Sequence, residues 1–473
     1  MIVGILRKKY GPLRRWKSIK KIWPYYYRFK EMEFRLKRLV RASYRSTLYP
    51  KRPEDYKKFN LIVYVVVLLV RLKNVLYVTP LVYIFSERHK TLFPTMDLIV
   101  VSNTYPKNGR EKYGGEFIRA RVDSYKEKGL KVLVIELTND LIVTPRYWKE
   151  EGVLSFPCSC WRILQGKLTG FGGSFFFHSP RIELTESIIN LSDRGFGCTV
   201  FYHGFEVRDF RRLCFNYSIE DMSKQYFYLK DIHDQRMACA RVLWGNVNIE
   251  KVVVSNYLKK IAFEDLHLTK VEKLHVIPNF IDSAYFSVGG PSSLLRKNIL
   301  MIRPFTANNY AADIAIKAIL EMEKDRPKDF SELSFTIVGF GRNFAEFTDI
   351  LKSYPNVDLV EKYQSKAELK EKFEHHGVYL APTRFDTQGV TMCEAMSAGL
   401  VPVVNNTGGI SEFANTQSAV LVKPNCYKSF AKGVWVLVDD EEAFAKKSKE
   451  ARKSILEICS EGNTIARELG LVS

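Results

Sequence analysis

From Met96 onward, short apolar segments alternate along the chain with longer segments of mixed polarity. The apolar runs have the length of buried strands, and the segments between them have the length of helices. Strands that alternate with helices of about 10–15 residues are typical of βαβ units and of parallel sheets. A helical segment is predicted from Gly114-Gly115 to Lys128. The predicted strands are Leu98–Val101, Lys131–Ile135, Phe175–Phe177, Thr199–Tyr202, Val252–Val254, Leu274–Ile277, Ile299–Ile302, Ser334–Val338, Val378–Leu380, Val401–Val404 and Val420–Val422.

The apolar runs form two consecutive series, and the second series begins at Asn298. A boundary region from Asp282 to Arg296 separates them, and Ser, Gly and Pro cluster within it. A chain of 473 residues is also longer than a single core sustains, which predicts two or three domains. We therefore predict an α/β protein with two Rossmann-like doubly wound domains, at residues 96–285 and 296–440, followed by C-terminal helices at 441–473.

Positive charge is concentrated in an N-terminal extension, residues 1–95. Residues 1–58 contain 19 Lys and Arg against four acidic residues, so that +15 of the net charge of +20 lies there. Within this part, an apolar stripe recurs at helical spacing, and Lys and Arg fill much of the remaining surface. Such a helix suits the surface of an anionic membrane; the alternative is a helix docked on the rest of the protein through its apolar face. The stripe consists of Tyr25, Phe29, Met32, Leu36 and Leu39.

The extension also contains Leu61–Val70, an uninterrupted apolar run of ten residues. Arg71 and Lys73 separate it from Val75–Phe85, which a proline interrupts. A membrane-spanning helix needs about 20 predominantly apolar residues, and each cation near the bilayer centre costs roughly 2.5–3.5 kcal/mol. We therefore expect buried packing or shallow membrane insertion of these segments rather than a transmembrane span, and we expect no signal peptide.

Composition and cysteine placement narrow the class of protein further. The chain is 46% hydrophobic and 26% charged, as ordinary globular proteins are. Its eight cysteines are scattered, and only Cys158 and Cys160 lie close together. This pattern predicts neither a disulfide framework nor a zinc site. We expect reduced thiols in a cytosolic protein.

The residues that suit ligand chemistry follow the predicted strand Val378–Leu380. Ligands of open α/β sheets bind beyond the carboxyl ends of strands, where helices begin. Pro382 ends the strand, and Gly389 stands just before a helical run, so that the N–H groups of a helix N-terminus can approach a diphosphate. Asp386 precedes this helix, and Glu394 lies inside it. Two carboxylates in these positions can accept hydrogen bonds from two sets of hydroxyls, such as those of a hexose and a ribose.

The stretch from Pro382 to Glu412 resembles the donor-site signature of the GT-B retaining glycosyltransferases, particularly family 4. That signature has an acidic residue, seven residues and a glutamate, followed by Ala-Met, a glycine, Pro-Val and a Gly-Gly turn. Further matches occur in the family's order over residues 97–425. They are the glycine loop Gly114-Gly115-Glu116, the histidine loop His203-Gly204-Phe205-Glu206, the run into the linker at Val253–Ser255 and Ile277–Asp282, and the turn Gly339-Phe340-Gly341. The resemblance implies two domains that face each other across a cleft.

The resemblance also implies a role for each matching residue. Glu394 would bind the ribose hydroxyls of the nucleotide, and Asp386 the hydroxyls of the donated sugar. Arg303 would neutralise the diphosphate as it leaves, and His203 would lie across the cleft, near the sugar and the acceptor. The family needs no metal and no cofactor for its chemistry, and no Asp-x-Asp pair follows a predicted strand here. The remaining donor-site residues would be Gly115, Gly339, Gly389, Val390 and Thr391, of which the last three offer backbone amides.

Three positions depart from the family pattern. Asp386 stands where glutamate is commoner, and its shorter arm changes which hydroxyls it reaches. The lysine that usually follows the first donor strand is replaced by Asn308 or Asn309. Either the diphosphate would then be stabilised less strongly, or another basic residue, such as Arg384, would contribute positive charge to its site. Phe280 occupies a position in the linker motif that is often glycine.

The resemblance therefore predicts a glycosyltransferase that moves a sugar from a nucleotide-diphosphate sugar to a glycan or lipid-linked glycan, with retention. The basic residues 1–58 would hold it at the inner face of the membrane, where acceptors for cell-surface polysaccharide lie. One alternative is a binding or scaffold protein that keeps the fold with weak or no turnover. Another is nucleic-acid binding through the basic residues, which we favour less. A same-fold epimerase or phosphorylase is a further option, although no lysine is identified that would anchor the phosphorylase cofactor.

Overall fold

The computed structural model describes residues 96–106, 115–138, 146–148, 152–158, 161, 165, 173–287 and 292–472. All of them lie in one compact unit. The predictions made for residues 1–95, including the amphipathic stripe and the two apolar segments, lie outside the described residues. Among the described helices, none is long and apolar enough to cross a membrane.

The apolar runs of the first series form one sheet of eight described strands, in the order β3-β4-β2-β1-β5-β6-β7-β8. The strands are β1 (Leu98–Ser102), β2 (Val132–Thr138), β3 (Arg146–Trp148), β4 (Val153–Pro157), β5 (Ser174–His178), β6 (Cys198–Tyr202), β7 (Glu250–Val253) and β8 (Leu274–Val276). Every neighbouring pair is parallel except β3 and β4. The helices of this half are α1 (Glu116–Glu127), α2 (Thr185–Asp193), α3 (Ile219–Gly245) and α4 (Asn256–Leu266).

The second series forms an entirely parallel sheet of six described strands, in the order β11-β10-β9-β12-β13-β14. The strands are β9 (Asn298–Ile302), β10 (Ser334–Gly339), β11 (Val357–Glu361), β12 (Val378–Leu380), β13 (Val401–Asn405) and β14 (Val420–Val422). The helices are α5 (Ser283–Phe286), α6 (Ala312–Asp325), α7 (Pro327–Phe330), α8 (Phe344–Thr348), α9 (Lys366–Glu374), α10 (Val390–Ala398), α11 (Tyr427–Asp439), α12 (Glu441–Cys459) and α13 (Ile465–Leu469). The chain passes between the sheets after Val276; the predicted domain limits stay a prediction.

Both sheets are covered on their two faces. In β1, Ile99 and Val101 belong to one apolar cluster, whereas Leu98 and Val100 belong to another. Since side chains alternate between the faces of a strand, apolar residues are buried on both sides of the sheet. The core of the second sheet is divided in the same way. These layers confirm the predicted fold class, an α/β protein with two doubly wound units.

The strand order reverses next to the first strand of each sheet. β1 lies between β2 and β5, and β9 lies between β10 and β12. At such a reversal the connections leave in opposite directions, which opens a crevice beyond the carboxyl ends of the strands. The loops after β9, β10 and β12 therefore border a natural ligand site, and these loops contain Arg303, Phe340 and Asp386.

The C-terminal helices pack on the two sheets in turn. α12 contributes Ile455 and Cys459 to the core of the second sheet. α13 instead contributes Ile465 to the core of the first sheet. Glu468 of α13 forms a buried ion pair with Arg121 of α1, with Oε1 2.9 Å from Nε. The helices α12 and α13 thus connect the second half of the protein to the first.

All of the predicted strands are present, with ends displaced by at most three residues. Three observed strands, β3, β4 and β11, have no counterpart among the predicted ones. β11 lies at the edge of the second sheet, and each of its five residues is half-buried or exposed. Its sequence, Val-Asp-Leu-Val-Glu, therefore lacks the continuous apolar run that marks a strand buried on both faces.

Candidate active site between the two sheets

A cavity of about 750 Å³ is lined by residues from both halves of the chain. This volume is in the range of sites that bind small molecules and cofactors. The cavity lining includes eight of the ten predicted site residues, whereas His203 and Arg384 do not belong to it. The eight residues are Gly115, Arg303, Gly339, Asp386, Gly389, Val390, Thr391 and Glu394.

The turn from β12 into α10 forms the wall that carries most of these residues. Gly389 precedes the helix with φ of 76° and ψ of 59°, a left-handed conformation that favours glycine. The first N–H groups of a helix have no partner within it, and Gly389, the residue before α10, has no side chain with which to cap them. Val390 and Thr391 therefore present a partial positive charge to the cavity, which suits a phosphate group.

Asp386 shapes this turn and also faces the cavity. Its Oδ1 accepts hydrogen bonds from the backbone N–H groups of Gln388 at 3.2 Å and Gly389 at 2.9 Å. Its Oδ2 lies 3.9 Å from Nη1 of Arg303. The predicted contact between Asp386 and the donated sugar stays a prediction, and it would use Oδ2, since Oδ1 holds the turn.

Arg303 follows β9 directly and is only 4% exposed. Its Nη2 donates a hydrogen bond to the carbonyl oxygen of Ala381 at 3.1 Å, which fixes the guanidinium beside the end of β12. Among the described residues, its Nε has no hydrogen-bond partner. A buried guanidinium that keeps an unused donor and has its nearest carboxylate at 3.9 Å is well placed to bind an anion.

Gly339 makes room for this arginine at the end of β10. A Cβ atom at Gly339 would lie 2.2 Å from the carbonyl oxygen of Arg303 and 2.5 Å from the ring of Phe305. Both distances are far below van der Waals contact, so that only glycine fits where β10 passes the loop after β9. Its predicted contact with the donor stays a prediction, although Gly339 lines the cavity.

Glu394 lies in the second turn of α10 and lines the cavity. Burial raises the pKa of its carboxyl to about 8; Lys366 opposes this shift, and Glu116 adds to it. A carboxyl with this pKa is largely protonated at neutral pH. Hydroxyl groups that donate hydrogen bonds to it would stabilise the charged form, as the predicted ribose contact requires.

Lys366 is a cavity residue that sequence reasoning missed. It is the first residue of α9, and its Nζ lies 2.7 Å from Oδ2 of Asp282 and 4.3 Å from the ring centroid of Tyr285. The helix that it begins follows β11, the strand that the apolar pattern does not reveal. A usable signal is present nonetheless, because Ser365 and Glu368 form a capping box, the Ser-x-x-Glu pattern that marks a helix start.

His203 lies beside the cavity rather than in its wall. Its ring packs on Phe117, which lines the cavity, with centroids 4.6 Å apart. Its carbonyl oxygen accepts a hydrogen bond from Oγ1 of Thr387 at 3.0 Å, so that the histidine loop touches the turn before α10. Glu206 shapes the loop, since its Oε2 accepts from the N–H groups of His203 at 3.1 Å and Gly204 at 2.8 Å. The role of His203 stays a prediction.

The contacts of Arg384 do not support the suggestion that it adds charge to the diphosphate site. Its Nη1 and Nη2 each donate to the carboxylate of Asp313 at 2.8 Å. Nη1 also donates to the carbonyl oxygen of Asn308 at 2.7 Å. A bidentate ion pair of this kind satisfies the guanidinium, and Arg384 does not line the cavity.

Asn308 and Asn309, one of which stands where the family has a lysine, connect the halves of the protein. Nδ2 of Asn308 donates to the carbonyl oxygen of Phe215 at 3.0 Å. The backbone N–H of Asn309 donates to Oδ1 of Asn216 at 3.0 Å. These positions therefore contribute contacts across the cleft, and the cations of the cavity wall come from other segments, namely Arg119, Arg303, Lys362 and Lys366.

Two α/β sheets with a cavity at the carboxyl ends of their strands define the GT-B fold of glycosyltransferases. Residues 296–440, which contain the second sheet, match the family model described as Glycosyl transferases group 1. The chain is therefore a glycosyltransferase, as the sequence predicts. Its assignment to family 4 stays a prediction.

Solved structures share the fold at low sequence identity. A glycosyltransferase from Rickettsia africae ESF-5 is 14% identical with a TM-score of 0.56, over 80% of this chain and 97% of that chain. Sucrose-phosphate synthase from Thermosynechococcus elongatus is 13% identical with a TM-score of 0.59, over 79% and 97%. The Anabaena protein HepE, in complex with UDP and glucose, is 13% identical with a TM-score of 0.55, over 79% and 98%. No curated protein sequence matches the chain.

Proposed function

We propose that the chain transfers a sugar from a nucleotide-diphosphate sugar to a glycan or lipid-linked glycan, with retention at the anomeric carbon. One observation carries this proposal: the N-terminus of α10 and the buried Arg303 line the same cavity as the carboxylates of Asp386 and Glu394. Positive charge next to two carboxylates matches a diphosphate that joins a sugar to a ribose. The complex of HepE with UDP and glucose supports a donor of this class.

In this reaction the bond between the anomeric carbon and the diphosphate oxygen breaks, and the anomeric carbon bonds to the hydroxyl oxygen of the acceptor, which loses its proton. Negative charge develops on the nucleoside diphosphate as it leaves. Arg303 and the N–H groups at the start of α10 would stabilise that charge electrostatically. Glu394 would accept hydrogen bonds from the ribose hydroxyls, and Oδ2 of Asp386 from the sugar hydroxyls. The contact between Thr387 and His203 would help to exclude water from the closed cleft. Our proposal includes no metal ion and no cofactor.

Donor use is tested with the purified full-length protein and a panel of nucleotide-diphosphate sugars, by thermal shift and by release of the nucleoside diphosphate. We expect at least one donor both to stabilise the protein and to be cleaved. Glu394→Gln is expected to raise the KM for this donor by about tenfold. The loss of ribose contacts weakens the binding of the donor equally in the ground state and in the transition state. Glu371→Gln, an exposed carboxylate on α9, is the control and is expected to behave as the wild type.

Two results of this experiment would argue against the proposal in different ways. Binding of a donor without release of the nucleotide would favour the alternative that the chain is a binding or scaffold protein without turnover. A lack of binding by every donor would mean that the cavity has another ligand. Once a donor is known, the anomeric configuration of the product, measured by NMR, tests retention.

We also propose that residues 1–58 hold the enzyme at the inner face of the membrane, in the synthesis of cell-surface polysaccharide. Support comes from the net charge of +15 of these residues and from the apolar stripe that they contain. Basic residues next to an anionic surface gain about 1 kcal/mol each, and an apolar helix face adds burial in the headgroup region.

The full-length protein is expected to sediment with vesicles that contain anionic phospholipid, and a variant that lacks residues 1–58 is expected to stay in the supernatant. Neutral vesicles and high salt should weaken the binding, because the attraction is screened. Equal sedimentation of the truncated variant would show that another surface binds the membrane. Salt-dependent retention of the full-length protein on RNA or DNA, without vesicle binding, would favour the nucleic-acid alternative.

A further inference from the structure

The cavity extends beyond the residues that the proposed diphosphate and ribose contacts use. Residues 362–365, which form the loop after β11, all line it. β11 is separated from β9, the strand before Arg303, by β10 alone. Neighbouring strands lie about 4.8 Å apart, so that the carboxyl end of β11 is roughly 10 Å from that of β9. A ribose and a nucleobase together cover a distance of this order.

The same loop adjoins the proposed ribose contact. Lys366 follows the loop directly, and its cation opposes the rise in the pKa of Glu394. Since both residues line the cavity, a nucleotide that places its ribose at Glu394 and its diphosphate at Arg303 has its base near residues 362–365.

Aromatic side chains line the cavity at this loop. Tyr363 belongs to the loop, and Phe340 follows β10; their ring centroids are 5.6 Å apart. Aromatic rings pack favourably on the flat face of a nucleobase, whatever its identity. These two rings therefore favour a base at this end of the cavity, but they do not select one base over another.

Gln364 provides polar atoms at the same place. It lines the cavity and is only 7% exposed. Its side-chain amide forms no hydrogen bond within the described residues, and these residues do not enclose its nitrogen and oxygen completely. The amide of a nine-tenths buried side chain is thus left open to the cavity. A buried polar group without a partner is unfavourable, so that a ligand which pairs with this amide gains affinity.

The amide offers an N–H donor next to a carbonyl acceptor, and each common base has an edge that pairs with such a group. The lysines on either side of Gln364 distinguish the bases. Lys362 and Lys366 line the cavity and can donate hydrogen bonds but not accept them. Their carboxylate neighbours already accept from them, since Lys362 pairs with Glu368, and Lys366 lies 2.7 Å from Asp282. A carbonyl oxygen of the base complements these donors, whereas the amino group of adenine or cytosine does not.

We propose that Gln364 recognises the nucleobase of the donor and that its loop selects a base with a ring N–H next to a carbonyl oxygen. Uracil and guanine share this edge. Oε1 of Gln364 accepts a hydrogen bond from the ring N–H, and Nε2 donates one to the carbonyl oxygen. The inference rests on the proposed function, because it requires that the cavity binds a nucleotide.

The affinities of the full-length protein for UDP, GDP, CDP and ADP, measured by titration calorimetry, test the selection. We expect UDP or GDP to bind at least about tenfold more tightly than CDP and ADP, and the tighter of the two identifies the base. CDP or ADP binding as tightly as the better of UDP and GDP overturns the selection while the proposed function stands. A lack of binding by all four nucleotides contradicts the proposed function and this inference together.

Two substitutions test the role of Gln364 itself. Gln364→Leu removes both polar atoms and is expected to weaken the binding of UDP or GDP by about tenfold, with a smaller loss for CDP and ADP. Gln364→Glu keeps an acceptor but places a second one where the amide donates. It is expected to shift the ratio of affinities towards CDP or ADP, whose amino groups donate to a carboxylate.

The matched control is Gln417→Leu, which replaces an exposed glutamine that does not line the cavity. It is expected to keep the four wild-type affinities. Because the affinities are compared within each variant, the ratio between nucleotides does not depend on how much of the variant is folded. An equal loss of affinity for all four nucleotides in Gln364→Leu, with an unchanged ratio in Gln364→Glu, overturns the role of this side chain in base recognition.

Discussion

Replacing Arg303 with methionine is expected to lower the rate of donor cleavage by about 10²–10³-fold. Arg303 is buried at the end of β9 and retains an unused donor within the described residues. Charge that develops on a diphosphate beside it is stabilised by a fixed guanidinium in a low-dielectric site, and the variant loses that stabilisation. Methionine keeps an apolar stem, so that packing is largely retained. Initial rates of nucleoside diphosphate release at saturating donor measure the effect.

Arg326→Met is the matched control for this experiment. Arg326 is 2.7 Å from Asp439 in a half-exposed ion pair, and it does not line the cavity. Its replacement is expected to leave the rate within about twofold of the wild type, since exposed ion pairs contribute little. Wild-type turnover by Arg303→Met would contradict the role given to this residue. It would then point to the other cations of the cavity wall, with Lys366 as the next substitution.

The inner strands of both sheets are predictable because they are buried on two faces. β1 and β12 consist almost entirely of apolar residues, and continuous apolar runs of this length mark such strands without an alignment. The helices between the runs then imply parallel pairing and a doubly wound topology. The order of the strands is not contained in the runs themselves, since it depends on the direction that each connection takes.

Edge strands escape prediction for the opposite reason. β11 has a hydrogen-bonded neighbour on one side only, and Asp358 and Glu361 are exposed. Since the apolar pattern does not reveal β11, nothing in the sequence shows that α9 begins just beyond the carboxyl end of a strand. Lys366, which begins that helix, is therefore missed. One unrecognised edge strand thus removes a wall of the cavity from the site that the sequence predicts.

Residues of the site are predictable where they belong to one segment. Asp386, Gly389 and Glu394 lie within nine residues, and their spacing alone relates them to a turn and the helix that follows. Arg384 shows the limit of this reasoning, because its partner Asp313 is 71 residues away along the chain. The spacing of residues within a short segment does not reveal ion pairs with residues far away in the sequence. An arginine next to a predicted site therefore cannot be assigned to that site from its position alone.

A buried chain of polar side chains is another feature that the sequence does not reveal. Oε1 of Gln388 accepts hydrogen bonds from the backbone N–H and Nδ2 of Asn279, at 2.7 and 2.8 Å. Oδ1 of Asn279 accepts from Nη1 of Arg121 at 3.1 Å, and Nε of Arg121 donates to Glu468 at 2.9 Å. The chain links the turn before α10, the segment between the sheets, α1 and α13. Both walls of the cavity are thereby connected to the C-terminal helix.

Glu468→Gln is expected to destabilise the protein by about 3–5 kcal/mol and to lower its Tm by roughly 10 °C. The side chains of Glu468 and Arg121 are both 0% exposed, so that the variant leaves a buried guanidinium without a counter-charge. Oε2 of Glu468 also accepts a hydrogen bond from the hydroxyl of Tyr125 at 2.5 Å. Burial raises the pKa of Tyr125 well above its usual value, which keeps this donor neutral. Scanning calorimetry of the full-length protein measures the change.

Glu461→Gln is the matched control, since it removes the same charge from the same C-terminal segment. Glu461 pairs with Lys128, at the end of α1, at 3.1 Å, but the two side chains are 41% and 50% exposed. An exposed pair contributes at most about 1 kcal/mol, so that Tm is expected to change by no more than about 3 °C. Equal shifts in the two variants would contradict the importance of burial for the pair of Arg121 and Glu468. They would show instead that net charge alone holds the C-terminal segment against α1.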